Sequence, residues 1–158
     1  MSQWLECVPN FSEGRRPEVV EQIADAVRRT PGAALLDYTS DADHNRSVLT
    51  FVGSPEGVES AAFAAIARAA ELIDMTRHSG EHPRIGATDV VPFIPVSGGA
   101  TWDDCIELSH RFGKRAGEEL ELDWGSLKDE MQRSISDLKL EDADPPYFMK
   151  YLLNQESN

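Results

Sequence analysis

Cysteine is scarce: Cys7 and Cys105 are the two in 158 residues, and neither sits in a CxxC pair. That excludes a disulfide-built fold and a thiolate zinc finger, and predicts two free thiols in a reducing cytoplasm. No apolar run approaches the length of a membrane-spanning helix, about 20 residues. The opening Met-Ser-Gln-Trp-Leu-Glu has neither the basic nor the apolar region of a signal peptide. Basic charge is also short: 15 Lys and Arg against 28 Asp and Glu leave a net charge of −13. Phosphate backbones need a basic face, so nucleic acid is excluded as a general partner. A small anion responds to local charge only and stays open. There is no Walker-type phosphate loop, no nucleophile elbow and no internal repeat. Asp41 and Asp43 stand two apart but lack the later oxygen ligands of an EF-hand loop.

What is present is an ordinary globular balance, 41% hydrophobic and 27% charged, enough to bury one core. Trp4–Val8 reads as a strand that Pro9 and Asn10 break. Pro17 opens a helix over 17–29, with Val19, Val20, Ile23, Ala26 and Val27 at helical spacing. The apolar stretch 33–38 predicts a buried strand, and 46–52 a second one in an antiparallel hairpin with it. Ser54 and Pro55 start a long alanine-rich helix that belongs to the core. The stretch 89–96 reads as a strand carrying two prolines, which places it at an edge or gives it a bulge. Thr101 and Asp104 form a capping box for a helix to about residue 119. The order is β-α-β-β-α-β-α. This predicts an α+β fold of the ferredoxin-like, split βαβ type, with helices on one face of a mixed or antiparallel sheet and the other face free.

Between the alanine-rich helix and the proline-bearing strand lies the stretch where candidate chemistry gathers. Residues 75–96 hold His78, His82, Arg77, Arg84, Glu81 and Asp89 together with Gly80 and Gly86, and 75–86 is a basic island on an acidic chain. Imidazole titrates near neutrality, so these histidines are the first candidates to move a proton. His78 and His82 are four apart, a spacing that also raises a metal site. Pro83 and the glycines oppose a helix there and no third ligand is close in sequence, so no metal is expected. A solvated or capping histidine is the plain alternative. For Arg46 and Arg84 it is a surface salt bridge.

Several motifs in fixed order carry a resemblance. Glu6–Gly14 (Glu-Cys-Val-Pro-Asn-Phe-Ser-Glu-Gly), Asn45-Arg46-Ser47-Val48, Phe51-Val52-Gly53 and His82–Val90 (His-Pro-Arg-Ile-Gly-Ala-Thr-Asp-Val) resemble the N-terminal subdomain of glutamate formiminotransferase, from about residue 3 to residue 120. The resemblance implies transfer of the formimino group of N-formimino-L-glutamate to tetrahydrofolate in histidine catabolism, with folate as co-substrate, no metal and no membrane. It implies His82, within Gly80-Glu81-His82-Pro83-Arg84, as the catalytic acid/base. Asn10, Asn45, Arg46, His78, Glu81 and Arg84 fall in or beside the matching motifs and are the expected contacts to folate and formiminoglutamate. The partner would be a C-terminal subdomain or a second copy of the chain.

Residues 121–158 depart from that pattern. They carry nine acidic and four basic side chains, an apolar stripe at Leu127, Met131, Ile135 and Leu138, and a linker at 141–146. This reads as an acidic tail of amphipathic helix and linker, fused or truncated relative to the family. Its 127–153 stretch slightly resembles the start of a DNA-gyrase-modulator metallopeptidase, without an HExxH zinc motif. The resemblance therefore leaves two readings: an acting transferase, or a folate-binding or assembly module without turnover because the second subdomain is missing.

Overall fold

Two prolines shape the sheet. A computed structural model describes residues 2–81 and 84–120. Proline has no N–H to give a ladder, and the chain leaves the ladder at Pro9 and at Pro92, while Pro95 stays in its strand opposite Leu5. The first break parts β1 (Trp4–Cys7) from β2 (Asn10–Phe11), at Val8 and Pro9. The second parts β5 (Thr88–Val90) from β6 (Phe93–Ser97), at Val91 and Pro92. The two breaks meet, because the Val8 N–H donates to the Pro92 carbonyl at 3.3 Å.

The sheet is antiparallel and curled. Between the prolines' two strands run β3 (Ala33–Asp41) and β4 (Arg46–Gly53), joined by a turn at 42–45. β1 pairs with 51–53 of β4 and β2 with 47–48, so the two halves lie end to end along it. β6 lies beside β1, β5 beside β2, and β3 takes the other side of β4. β4 is the longest strand with neighbours on both sides, and its residues alternate strictly between buried and half-buried. Ser47, Leu49, Phe51 and Gly53 face the core.

Three helices cover that face: α1 (Pro17–Arg28), α2 (Pro55–Leu72) and α3 (Trp102–Glu119). Their buried residues join Leu5, Cys7, Phe11, Leu49, Phe51 and Phe93 in a single core cluster, the layering expected of a half-buried sheet. Ala61, Ala62, Ala65 and Ala69 of α2 are fully buried, and side chains this small bring the helix close to the sheet. Gly57 carries that contact furthest: a Cβ there would lie 2.1 Å from the Gly32 carbonyl oxygen. Phe112 of α3 meets Phe93 edge-on at 5.3 Å and Phe63 at 6.5 Å, geometries that aromatic pairs favour. The helix starts follow the sequence: Ser54 accepts from the Gly57 N–H at 3.1 Å, and Thr101 and Asp104 cap reciprocally.

One strand differs from expectation. The stretch 33–38 is not buried: β3 is an edge strand, with Leu36 60% and Tyr38 36% exposed. A bulge between Leu35 and Asp37 lets Leu36 drop out of the register. Apolar composition cannot separate a central strand from an edge strand that packs sideways. Tyr38 does the latter, donating its hydroxyl to Glu21 while the Arg28 guanidinium sits 5.5 Å from its ring centre. No helix among the described residues is long and apolar enough to cross a membrane. His82, the expected helix over 127–138 and the 141–146 linker all lie outside the described residues.

Candidate functional site

The stretch rich in histidine and arginine follows α2 through a short 3-10 turn, Met75–Arg77, which Asp74 opens by accepting from the Thr76 N–H at 3.0 Å. The described residues from there to β5 form no helix or strand, so hydrogen bonds to other segments hold them. On its near side the partner is the β3–β4 turn. Asn45, the last residue of that turn, has a φ of +49°, a left-handed conformation that asparagine tolerates. It is 8% exposed. Its Nδ2 donates to the Ser79 carbonyl at 3.0 Å, and its Oδ1 accepts from the Gly14 N–H at 2.9 Å. The Asn45 carbonyl lies 3.2 Å from His78 Nε2, and the Glu81 N–H donates to the Asp43 carbonyl at 3.2 Å. Arg15 adds a third tie, from Nε to the Ala42 carbonyl at 2.8 Å and from Nη1 to Ser79 Oγ at 3.2 Å.

On the far side the anchor is the 12–14 turn and β2. Ser12 donates from its hydroxyl to the Gly86 carbonyl at 2.7 Å and from its N–H to the Ala87 carbonyl at 2.9 Å. Arg84 is turned inward, donating from Nη1 to Asp89 Oδ2 at 3.1 Å, with its side chain 5% exposed. Asp89 Oδ1 accepts the Ile85 N–H at 3.1 Å. The described chain is thus tied down on both sides of positions 82 and 83.

Glu13 organises the 12–14 turn. It is buried, and burial pushes its carboxyl up, but the N–H groups of Arg15 and Arg16 and the Arg16 guanidinium outweigh that and hold it below the usual carboxylate range. The bonds are 2.8 and 2.9 Å from the two backbone amides and 2.6 Å from Arg16 Nε. Arg16 also reaches the Leu72 carbonyl at the end of α2, at 3.2 Å. Asp41, at the mouth of the β3–β4 turn, is likewise held low, first by the His44 N–H and then by the His44 imidazole.

The structure therefore gathers Asn45, His78 and Glu81 at one place, where turn and loop meet. It sends Arg84 to Asp89 instead of outward. Asn10 lies on β2 opposite Val48 and Val90, its carboxamide donating to the Val8 carbonyl at 3.3 Å. Arg46, half-buried, begins β4 two residues before that Val48 and forms no ion pair among the described residues. Asn10 and Arg46 thus lie on neighbouring strands of the sheet, Arg46 directly after Asn45 with its backbone against Gly14. The sequence reading passed over Glu13, Arg15 and Ser79. The available signal for Glu13 was an acid just ahead of a proline-started helix whose first amides need acceptors. For Asn45 it was an asparagine at the tip of a predicted hairpin.

A family model for the formiminotransferase domain, N-terminal subdomain, matches residues 4–138, reaching past the boundary placed at residue 120. Over 120 residues the chain is 56% identical to formimidoyltransferase-cyclodeaminase of Sus scrofa, a match covering 76% of this chain and 22% of that protein. It is 48% identical over 120 residues to glutamate formimidoyltransferase of Streptococcus pyogenes serotype M1, covering 76% of this chain and 40% of the relative. For the glutamate formimidoyltransferase of Thermoplasma acidophilum the figures are 50% over 116 residues, 73% and 38%. This chain accordingly spans well under half the length of these relatives. With most of the described chain matched in one register, it belongs to the formiminotransferase N-terminal subdomain family.

Proposed function

We propose that this chain supplies the N-terminal part of a cytoplasmic transferase site that moves the formimino group of N-formimino-L-glutamate to tetrahydrofolate in histidine catabolism. The observation that carries this is the family match through a loop tied on both sides of the motif Gly80–Arg84. The names of the relatives, glutamate formimidoyltransferase among them, support the reaction class. The pairing pattern supports a split βαβ reading of the fold, if β1 with β2 and β5 with β6 are each counted as one strand broken at a proline.

In this reading the attacking pterin nitrogen loses a proton as it adds to the amidine carbon, and the glutamate nitrogen gains one as it leaves. His82 serves both steps, as base and then as acid. Glu81, exposed beside it, balances the cationic amidine. Arg46, His78 and Asn10 take the anionic and polar groups of folate and glutamate. Arg46 supports that role because, on a chain of net charge −13, its guanidinium has no carboxylate partner among the described residues. Arg84 is engaged by Asp89 and shapes the loop instead of meeting substrate. Tetrahydrofolate enters as co-substrate, and the scheme calls on no metal. The rest of the site comes from a C-terminal subdomain or a second copy.

A second reading is a folate-binding or assembly module without turnover. Supplying the C-terminal part of the Thermoplasma acidophilum relative in trans and assaying formimino transfer separates the two. Turnover with the added part supports the transferase. Folate binding, read by tryptophan fluorescence, without turnover supports the module. In the competent assembly His82→Ala should lower kcat by about 10²–10⁴-fold and flatten one limb of the pH profile, whereas His78→Ala should act mainly on KM. Equal, wild-type turnover in both variants would assign the proton transfers to another group.

A further inference from the structure

We infer that Asn45 is a positioning residue: it fixes the 78–81 segment, and through it the presentation of His82, without itself touching substrate. The inference deepens the proposed function by giving its acid/base a named support. Both ends of the Asn45 carboxamide are occupied inside the chain, Oδ1 by the Gly14 N–H and Nδ2 by the Ser79 carbonyl. The one N–H and one lone pair left over belong to a residue only 8% exposed. The residue joins three segments distant in sequence, the 12–14 turn, the β3–β4 turn and the loop ahead of position 82.

Three further observations point to the same joint. The backbone of Asn45 contributes its carbonyl to His78 Nε2 at 3.2 Å. Its φ of +49° is what aims carbonyl and carboxamide toward the loop together. A β-branched or bulky residue would resist that conformation. Gly80 closes the fit from the loop side: a Cβ there would lie 2.4 Å from the His44 carbonyl oxygen, so the segment lies flat on the turn. A loop held this way loses little freedom when substrate binds, and small displacements of a reacting group cost rate steeply.

Two variants disturb the joint from opposite sides. Asn45→Gly keeps access to positive φ and removes the carboxamide. Gly80→Ala leaves the carboxamide in place and wedges the loop off the turn. The first measurement uses this chain alone. NMR titration of the imidazoles should show the His78 and His82 midpoints displaced in both variants, while the melting curve stays cooperative. The second uses the chain with the C-terminal part supplied in trans. Here kcat should fall about 10–100-fold in both variants, with any rise in KM no larger than that of His78→Ala, the pattern of a misplaced reacting group.

Unchanged imidazole titrations together with unchanged kcat overturn the inference. So does a loss confined to Asn45→Gly with Gly80→Ala at wild-type kcat, which would make the carboxamide itself a substrate contact. A rise in KM alone has the same meaning. If Asn45→Gly fails to fold, Gly80→Ala in the exposed loop decides the matter. If the unsubstituted assembly shows no turnover, the transferase reading falls, and the titrations on the single chain still judge the role of Asn45.

Discussion

Arg84 and Asp89 form an ion pair at 3.1 Å in which the side chains are 5% and 19% exposed. Breaking such a pair from one side leaves a buried charge alone, whereas removing both partners does not. Arg84→Met is expected to lower the unfolding free energy by about 3 kcal/mol. The double variant Arg84→Met with Asp89→Asn should recover a measurable part of the summed single losses, since the asparagine still accepts from the Ile85 N–H. Urea denaturation of the four proteins closes the cycle. Strict additivity would show that the two side chains are not coupled.

Glu13 gives a pH signature. Its carboxyl is held below its unfolded value, so the bonds from Arg15 and Arg16 stabilise the chain fully above that value, about 4.3. The contribution is lost as pH falls further, through the depressed folded value. Glu13→Ala should cost about 2–4 kcal/mol at pH 7, because two amides and a guanidinium lose their acceptor. The stability gap between wild type and Glu13→Gln should narrow on acidification, as wild type alone sheds this term. A gap that holds constant to pH 3 would place the stabilisation elsewhere.

α3 is bound to the core through Leu108, Phe112 and Ala116. Phe112→Ala removes two edge-on ring contacts and leaves a cavity beside Phe93, at an expected cost of about 3–5 kcal/mol. Phe63 is only half-buried, with the Arg115 guanidinium 3.7 Å from its ring centre. Phe63→Ala should therefore cost clearly less. Equal losses would mean that α3 does not discriminate the two rings in packing.

The boundary of the folded unit is open to a direct cut. The charge shift after residue 120 and Pro145-Pro146 lead us to expect a cooperative melt from a chain ending at residue 123. The family match runs to residue 138, so a chain ending there is the natural comparison. If only the longer chain melts cooperatively, residues 124–138 belong with the core.

Helices were the most legible part of the sequence, since a 3.6-residue stripe, a proline at the first position and a serine or threonine cap all leave local marks. Pro17, Ser54 and Thr101 each start a helix where expected. The two prolines of the last strand also marked it as an edge strand, and both of its halves lie at the edge of the sheet. Strand placement was less legible: Ala33-Ala34-Leu35-Leu36 looks central in composition, and only pairing with a single neighbour exposes it. At the site, residue types near position 82 were readable from the motif. The supports were not, because Ser12, Glu13 and Asn45 act across 30 or more intervening residues, or on backbone amides that composition does not reveal.

The bulge at Leu36 bears on how copies of the chain behave when crowded. A long edge strand offers its unpaired row to any extended segment that can zip onto it. Here the register breaks after Ala33–Leu35 and resumes at Asp37, so a straight incoming strand cannot match both halves at once. Asp37 and Asp41 add like charge along the second half. A substitution that straightened this edge would leave the core intact and show itself first as aggregation at high concentration.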